Sequence, residues 1–511
     1  MGQSRIKNTS RNLIYAIILQ IVKIAVVFGV RIVFVYKLGE TYLGVNGLFT
    51  NVIGILSLAD LGMTTALMYS LYKPLAENDE HKIRIYINYF RKVYYVIALM
   101  ITVIGIAIIP FLKYLINLPN EMPDIYLYYI LLLANSVISY LFVYKTTLLS
   151  ADQKMYLINK YDIIFQFVLA ILQIIILIVF ESFIGYLVVN IICTLLSNIA
   201  KAKKTNEIYP YLKQQEKEIL PKEEQKNIFS NLLSMSFYKL GTVIQNNTDN
   251  ILISIFVGTV TVGYYSNYNT IIQSIITFLT MVFTSLKASV GNYLVFKKKE
   301  EQLKMFNILD TYNFWLVAFC SICFVVLIPD FVEICFGEQY VLSFGLLIWI
   351  VFNFYTSNSR QTLWTYRETT GIFKKTKYIT LVTAILNVGL SILFGYFFGL
   401  SGIIAATVVS RMIYAWWKEP LIIFKDYFKS SPKLYFIIYI KRLILVSIIC
   451  TVTYIIANVI PNINLYVDFL LKMIICVIAP IIILYIIYRK SEAFAYLKAN
   501  LLKRRKGNNN G

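Results

Sequence analysis

Basic side chains recur inside segments of this sequence that are otherwise apolar. They are Lys23, Arg31, Lys239, Lys287, Arg360 and Arg411. An ionisable group at membrane depth is costly, so it tends to face a bundle interior or a water-filled cavity. Guanidinium and ammonium groups bind phosphate well. The pattern therefore predicts a cationic cavity that receives an anionic substrate.

Uncharged polar side chains form stripes beside these charges. The predicted polar lining of the cavity is Gln20, Asn46, Asn246, Asn250, Asn269, Gln273 and Thr277. In segment 262–292 six polar residues fall within an arc of about 80° at 100° per residue, which is typical of one helix face turned toward water; they are Asn269, Gln273, Thr277, Thr280, Thr284 and Lys287. The other interpretation is that threonine and asparagine side chains hold neighbouring helices together.

Two carboxylates, Asp60 and Asp249, lie within the same segments. They are candidates for coupling to a cation or proton gradient; the alternative is that they only pair with nearby basic groups. Covalent chemistry has little support. The single histidine, His81, lies in a loop, and the CxxC of Cys320 and Cys323 lacks the four ligands that a structural zinc needs. We predict no catalytic residue, no bound metal, no cofactor and no enzymatic activity.

Long apolar runs must carry these residues. The chain has 511 residues, is 58% hydrophobic and has a mean hydropathy of +0.67, whereas soluble domains are about 45–50% apolar. Runs of about 20–28 residues are long enough to cross a bilayer as helices, so we predict an all-α polytopic membrane protein with about fourteen transmembrane helices. The predicted spans are 12–36, 42–68, 88–112, 125–149, 157–180, 183–202, 229–257, 262–292, 307–334, 341–364, 376–398, 400–424, 437–460 and 464–488.

Positive charge is concentrated in alternate loops. The net charge is +21, and lysines and arginines cluster after the even-numbered spans and in the tail. Cytoplasmic loops carry such an excess, so both termini are predicted to be cytoplasmic in a multi-pass protein of the plasma membrane. No domain presents this charge to a duplex, and nucleic acid is not an expected partner.

The two halves of the chain are alike. Gly39 and Gly44 after the first span match Gly258 and Gly263 after the seventh at the same shift. Six spans lie between them, which predicts parallel repeats, as in some transporters; chance recurrence of Gly-x4-Gly at tight turns is the alternative. The predicted organisation is a six-helix lobe at 1–204, a cytoplasmic linker at 205–227, a second six-helix lobe at 228–426, two additional helices at 427–490 and a basic cytoplasmic tail at 491–511.

Short motifs along the chain resemble those of one transporter family. They include Arg31, Leu38-Gly39, Tyr42-Leu43-Gly44, Gly47-Leu48-Phe49, Asn51, Leu56-Ser57, Asp60-Leu61-Gly62, Leu71-Tyr72-x-Pro74-Leu75-Ala76, Gly263-Tyr264-Tyr265-Ser266-Asn267-Tyr268 and Gly399-Leu400-x-Gly402. The chain resembles the bacterial oligosaccharide (repeat-unit) flippases, the polysaccharide transporter branch of the multidrug/oligosaccharidyl-lipid/polysaccharide (MOP) exporter superfamily. Asp60 stands where a glutamate is expected in that family, so the carboxylate is kept.

The resemblance implies two lobes around a cation-lined cavity, working by alternating access. The implied substrate is undecaprenyl-pyrophosphate-linked oligosaccharide, turned to the outer leaflet of a bacterial cell membrane for capsule, exopolysaccharide or O-antigen synthesis. Expected partners are this lipid-linked oligosaccharide, membrane lipid, and the polysaccharide polymerase and glycosyltransferases of the same pathway.

Three alternatives stay open at this point. A multidrug exporter of the same fold should have an acidic, aromatic cavity, which the basic excess disfavours. A lipid-linked peptidoglycan-precursor flippase shares the diphosphate chemistry. A membrane polysaccharide polymerase or glycosyltransferase needs an external loop with paired carboxylates or an arginine cluster, whereas the longest polar loop here, 201–227, is rich in lysine and predicted to be cytoplasmic.

Overall fold

The computed structural model describes residues 2–60, 62–120, 122–214, 219–459 and 464–499. Within these ranges the regular secondary structure is helical and includes no strand. The predicted all-α fold is therefore confirmed. Its physical reason is that every backbone amide of a helix pairs inside its own segment, which an apolar surrounding requires.

The chain divides into two compact units, Met1–Gly263 and Tyr264–Gly511. The first unit contains α1 Gly2–Leu56, α2 Met63–Glu77, α3 Glu80–Ile108, α4 Leu112–Leu115, α5 Ile125–Tyr140, α6 Val143–Ala151, α7 Met155–Ile175, α8 Phe183–Ile208 and α9 Lys222–Phe256. Short 3-10 helices occupy Ser57–Asp60, Ile109–Phe111 and Pro210–Lys213, and a π-helical turn occupies Ile176–Phe180.

The second unit begins within α10, Thr259–Phe296. It continues with α11 Lys299–Phe336, the 3-10 helix Glu338–Tyr340, α12 Phe344–Asn358, α13 Gln361–Thr369, α14 Phe373–Ser410, α15 Trp416–Ile422, α16 Lys433–Asn458 and α17 Leu465–Tyr488. Two π-helical turns, Arg411–Ala415 and Ile423–Phe428, flank α15.

Nine helices of the described ranges are long and apolar enough to cross a membrane, or ten if the bent pair Ile125–Tyr140 and Val143–Ala151 is one span. Two of the nine segments contain 43 and 51 residues. A straight helix of 43 residues is about 65 Å long, twice the roughly 30 Å of a bilayer core. Both segments are broken at a glycine, so the second corresponds to two predicted spans, and the first corresponds to the span 12–36 and the first part of the span 42–68.

The first break is at Gly39, where φ is 83° and ψ is −176°. An L side chain rarely adopts this φ, which favours glycine there. Phe34 and Tyr42 lie on either side of the break and both contact the ring of Phe183, with ring centroids 5.7 and 5.4 Å away. In a straight helix these residues would be about 12 Å apart along the axis, so the chain reverses at Gly39.

The second break is at Gly399, where φ is 57° and ψ is −136°. The halves of α14 pack together after it, because Asn387 Nδ2 donates to Thr407 Oγ1 at 2.9 Å. A Cβ on Gly402 would lie 2.0 Å from the carbonyl oxygen of Phe394. The two predicted spans 376–398 and 400–424 therefore form a hairpin whose close approach depends on glycine.

We expect Gly402→Val to lower the melting temperature of the purified protein markedly, because its side chain overlaps a backbone carbonyl that cannot move alone. Gly389→Val is the matched control, since Gly389 lies in the same helix and a Cβ there meets no atom within 4 Å. Thermal unfolding in detergent measures both. Equal melting temperatures would contradict the close packing at Gly402.

The unit boundary differs from the predicted lobe boundaries. α9, which contains the predicted seventh span, packs against α1, α2 and α4 of the first unit. The predicted limits at 204, 228 and 426 stay predictions. Of the predicted tail 491–511, residues 492–499 are helical and 500–511 lie outside the described residues.

The predicted linker 205–227 is tied to the first unit wherever it is described. Tyr209 Oη donates to Asp152 Oδ2 at 2.6 Å, and Tyr86 Oη donates to Glu224 Oε2 at 2.6 Å. Burial, and then the hydrogen bond to Asp152, raise the pKa of Tyr209 above its ordinary value, so this hydroxyl stays a donor at neutral pH. Residues 219–224 and the 3-10 helix Pro210–Lys213 thereby stay close to the helix ends.

Candidate substrate site

In the first unit, two of the predicted site residues form an ion pair. Lys239 Nζ on α9 lies 2.6 Å from Asp60 Oδ2, and the two side chains are 33% and 12% exposed. Asp60 ends the 3-10 helix Ser57–Asp60, and Gly62 follows with φ 94°. The break in the helix turns the carboxylate toward α9, so the predicted substrate group and the predicted coupling group meet.

Asp60 keeps one oxygen available. Its Oδ1 is buried and accepts no hydrogen bond within the described part of the chain. Tyr94 and Tyr140 lie within electrostatic reach of the carboxylate, and Tyr94 Oη is 2.9 Å from Thr64 Oγ1. Asp60 therefore has one oxygen in an ion pair with Lys239 and one oxygen without a donor among the described residues.

α1 contains two of the predicted basic residues, Lys23 and Arg31. Lys23 is half-buried and makes no hydrogen bond or ion pair among the described residues. Arg31 is also half-buried and lies near Tyr186, whose hydroxyl is hydrogen-bonded to Gln173. Gln20 and Asn46, also predicted as cavity lining, are half-buried. Lys23 is the predicted cation with the least local compensation.

Further along α9, Asn246 is exposed, whereas Asp249 and Asn250 are 9% and 6% exposed. Asn250 Oδ1 accepts no hydrogen bond from any described residue. Close packing of α9 on α1 has a specific cause: a Cβ on Gly54 would lie 2.2 Å from Asn247 Oδ1. Asp249 makes interactions of its own and is not a free carboxylate.

The predicted polar stripe of α10 is present in the second unit. Gln273 and Thr277 are exposed and Asn269 is half-buried. Gln273 Nε2 donates to Asn269 Oδ1 at 3.4 Å, and Thr277 Oγ1 donates to the Gln273 carbonyl at 2.8 Å. Lys287 Nζ forms a half-exposed ion pair with Glu368 at 2.5 Å. These exposed amides and hydroxyls give α10 a hydrophilic face.

Arg360 is placed differently from the other predicted cations. It lies between α12 and α13, is 5% exposed, and forms an ion pair with Glu419. Arg367 Nη1 binds the other oxygen of the same carboxylate at 2.8 Å. Glu419 is 1% exposed, and Arg360 Nε has no hydrogen-bond acceptor among the described atoms. In this conformation the guanidinium of Arg360 is bound by the carboxylate of Glu419. An anionic substrate would have to compete with Glu419 for Arg360.

Arg411 is 7% exposed and opens the π-helical turn Arg411–Ala415. Its Nη1 donates to Asn353 Oδ1 at 3.0 Å and to Thr356 Oγ1 at 2.8 Å. Both acceptors are uncharged, and the guanidinium makes further interactions besides these. Single π-turns within α-helices are frequent at functional sites; here one such turn starts at a buried arginine.

Two acidic partners were missed by the sequence analysis. Glu419 lies inside the predicted span 400–424, and the cost of an ionisable group at that depth was a signal that could have found it. Asp310 is 7% exposed and binds Arg442 Nη1 at 2.5 Å. The second unit thus buries more arginine than carboxylate around α13 and α15.

No group of three or more His, Cys, Asp or Glu residues that could hold a metal ion occurs in the part of the chain that the structure describes. The six cysteines are free thiols, and Cys323 Sγ lies 3.8 Å from the carbonyl oxygen of Cys476. The donors at the candidate site are lysine, arginine, amide and hydroxyl groups, which bind anions and water.

Comparison with known proteins gives structural likeness without sequence likeness. No family model matches the chain, and no curated protein matches it. The lipid II flippase MurJ in an inward closed conformation matches with a TM-score of 0.65 and 15% identity, over 93% of this chain and 99% of that one.

Two multidrug transporters match as well. An inward-facing MATE family transporter of the MOP superfamily has a TM-score of 0.58 and 16% identity, over 76% of this chain and 91% of that one. A mutant of the Vibrio cholerae MATE transporter VcmN has a TM-score of 0.56 and 14% identity, over 82% of this chain and 96% of that one. The chain is therefore a multi-pass membrane protein with the MOP-type transporter fold.

Proposed function

We propose that this protein is a flippase that moves undecaprenyl-pyrophosphate-linked oligosaccharide from the cytoplasmic to the outer leaflet of a bacterial cell membrane, with both termini in the cytoplasm. The excess of basic groups at membrane depth carries the proposal. Lys23 lacks a partner among the described residues, and Arg411 is a buried guanidinium that donates to Asn353 and Thr356. A diphosphate is the substrate chemistry that such groups stabilise.

The proposed binding groups are those predicted from the sequence. Lys23, Arg31, Lys239 and Lys287 are half-buried and can reach an anion without unfolding a helix, whereas Arg360 and Arg411 are buried. The prenyl chain stays in lipid, because burying it in a polar site would forfeit its hydrophobic transfer energy. Capsule, exopolysaccharide and O-antigen pathways all supply substrates of this chemistry, and their polymerases and glycosyltransferases are the proposed partners.

The energy source is proposed to be a cation or proton gradient, coupled at Asp60. Protonation of Asp60 removes the attraction that holds Lys239, so that the lysine is free for an anion. Asp249 is the second candidate coupling group. We expect Asp60→Asn to make transport insensitive to the gradient, because asparagine can neither take the proton nor hold Lys239. Transport that is unchanged when the gradient is collapsed in the wild-type protein would remove the basis for this coupling.

A lipid-linked peptidoglycan precursor is the second candidate substrate, since it has the same diphosphate headgroup and the flippase MurJ covers 93% of this chain. A cationic drug is disfavoured by the charge of the site. The test uses protein in proteoliposomes with three fluorescent probes: a lipid-diphosphate oligosaccharide, lipid II and a cationic dye. We expect the first to be flipped fastest. Transport of the dye alone would contradict the proposal.

A further inference from the structure

A dense hydrogen-bond network surrounds the turn between α9 and α10. Thr259 donates its backbone N–H to the Asn117 carbonyl at 2.8 Å, and its Oγ1 accepts from the Asn117 N–H at 2.8 Å. Ser254 Oγ is 2.6 Å from the Leu115 carbonyl and 2.7 Å from Thr259 Oγ1. Ser254 and Thr259 are both fully buried. We call Leu115, Asn117, Ser254 and Thr259 the turn latch.

Glycines bring α1 against the same turn. A Cβ on Gly44 would lie 2.0 Å from the carbonyl oxygen of Thr259, and a Cβ on Gly263 would lie 2.9 Å from that of Glu40. These are glycines of the two Gly-x4-Gly motifs that mark the repeats. The motifs therefore pack directly on each other, backbone to backbone, beside the turn latch.

We propose that the turn latch and the Gly44–Thr259 contact close the external end of the transport pathway, and that this contact must separate for the pathway to open outward. The charge pattern of the loops places both turns on the external side, because neither follows an even-numbered span. The inference rests on the proposed transport by alternating access, but it does not depend on which lipid-linked substrate is carried.

The chemistry of the contact suits a reversible closure. Its bonds join backbone groups, one serine and one threonine, and each such bond contributes modestly because water replaces it on opening. Thr259 and Ser254 are fully buried with the turns together, and separation of the turns would expose them. In the open state water can satisfy them, so the closed state is stable without being permanent.

The experiment places a single cysteine, Val262→Cys, in a chain whose six native cysteines are replaced by serine. Val262 is fully buried and its side chain is apolar, so this reporter leaves the hydrogen bonds of the latch unchanged. A membrane-impermeant maleimide is added outside intact cells. We expect slow labelling in this background, a rate about tenfold higher with Thr259→Val, which removes Oγ1 at nearly constant shape, and a higher rate with Gly44→Val.

Two matched controls separate opening of the latch from general loosening. Thr248→Val removes a hydroxyl of α9 that binds the carbonyl of Ile244 in its own helix. Gly29→Val adds a side chain to α1 where a Cβ meets no atom within 4 Å. Both should label at the background rate.

The possible outcomes decide the proposal. Unchanged labelling with Thr259→Val and Gly44→Val, or equal increases in the controls, would overturn it. Labelling only in inside-out vesicles would also overturn it, because the latch would then lie on the cytoplasmic side. The labelling rate could respond as expected while the wild-type protein flips none of the lipid-linked probes. That result would refute the proposed substrate but would still support the turn latch.

Discussion

Glu419→Gln is expected to lower the free energy of unfolding by about 3–5 kcal/mol, which is typical for removing one partner of a buried ion pair. Both carboxylate oxygens are used, one by Arg360 and one by Arg367, and all three residues are at most 5% exposed. Glutamine keeps the shape but removes the charge that faces both guanidinium groups, leaving Arg367 with the more distant Glu368 carboxylate at 3.9 Å. Thermal or denaturant unfolding of the purified protein in detergent measures the loss.

The control for this variant is Asp426→Asn, seven residues further along the chain. Asp426 pairs with Lys375 at 2.7 Å, but the two side chains are 38% and 63% exposed, so the change in stability should be small. Replacing Arg360, Arg367 and Glu419 together with methionine should recover most of the lost stability, because no charge is then left buried. Equal losses of unfolding free energy for Glu419→Gln and Asp426→Asn would show that the buried ion pair stabilises the fold no more than the exposed one.

Lys23→Ala combined with Lys239→Ala is expected to abolish transport while folded protein is still produced. Each lost charge-assisted contact to a phosphate is worth about 1.5–3 kcal/mol, so two together reduce the rate on the order of a hundredfold or more. The measurement is flipping of a fluorescent lipid-diphosphate oligosaccharide in proteoliposomes, with protein yield and melting temperature recorded beside it.

Two comparisons make this result interpretable. Lys297→Ala with Lys304→Ala removes the same charge from surface pairs with Glu301 and Glu492 and should leave transport intact. Asp60→Asn combined with Lys239→Ala removes the ion pair without leaving the Asp60 carboxylate charged and unpaired. This variant therefore separates a loss of stability from a loss of substrate binding. Wild-type transport in the doubly substituted Lys23 and Lys239 protein would argue that these lysines are not binding groups.

Helices and reversals were readily predicted from the sequence. Apolar runs of spanning length define the helices, and glycine at Gly39 and Gly399 marks reversals that a bulkier residue could hardly adopt. Breaks inside spans were not predicted. The 43° bend between α5 and α6 and the break between α12 and α13 lie inside predicted spans, and average hydropathy contains no signal for them.

The candidate site was predicted by residue type but not by pairing. The sequence singles out Lys239 and Asp60 separately, because each is costly in an apolar segment. That they meet depends on the 3-10 helix Ser57–Asp60 and on the close approach of Gly54 to Asn247, which only the three-dimensional packing shows. Arg360 was predicted to be available for an anion, and the ion pair with Glu419 could not be anticipated from a single helix face.

Binding of the bare headgroup tests the central claim most directly. Purified protein is incubated with undecaprenyl diphosphate or with undecaprenol, which has the same chain and no charge, and the melting temperature is followed as lipid is added. A basic site at membrane depth should give a saturable increase with the diphosphate, little change with the alcohol, and a much weaker increase in the Lys23→Ala, Lys239→Ala protein. Equal stabilisation by both lipids, or an increase that the two substitutions leave unchanged, would contradict it.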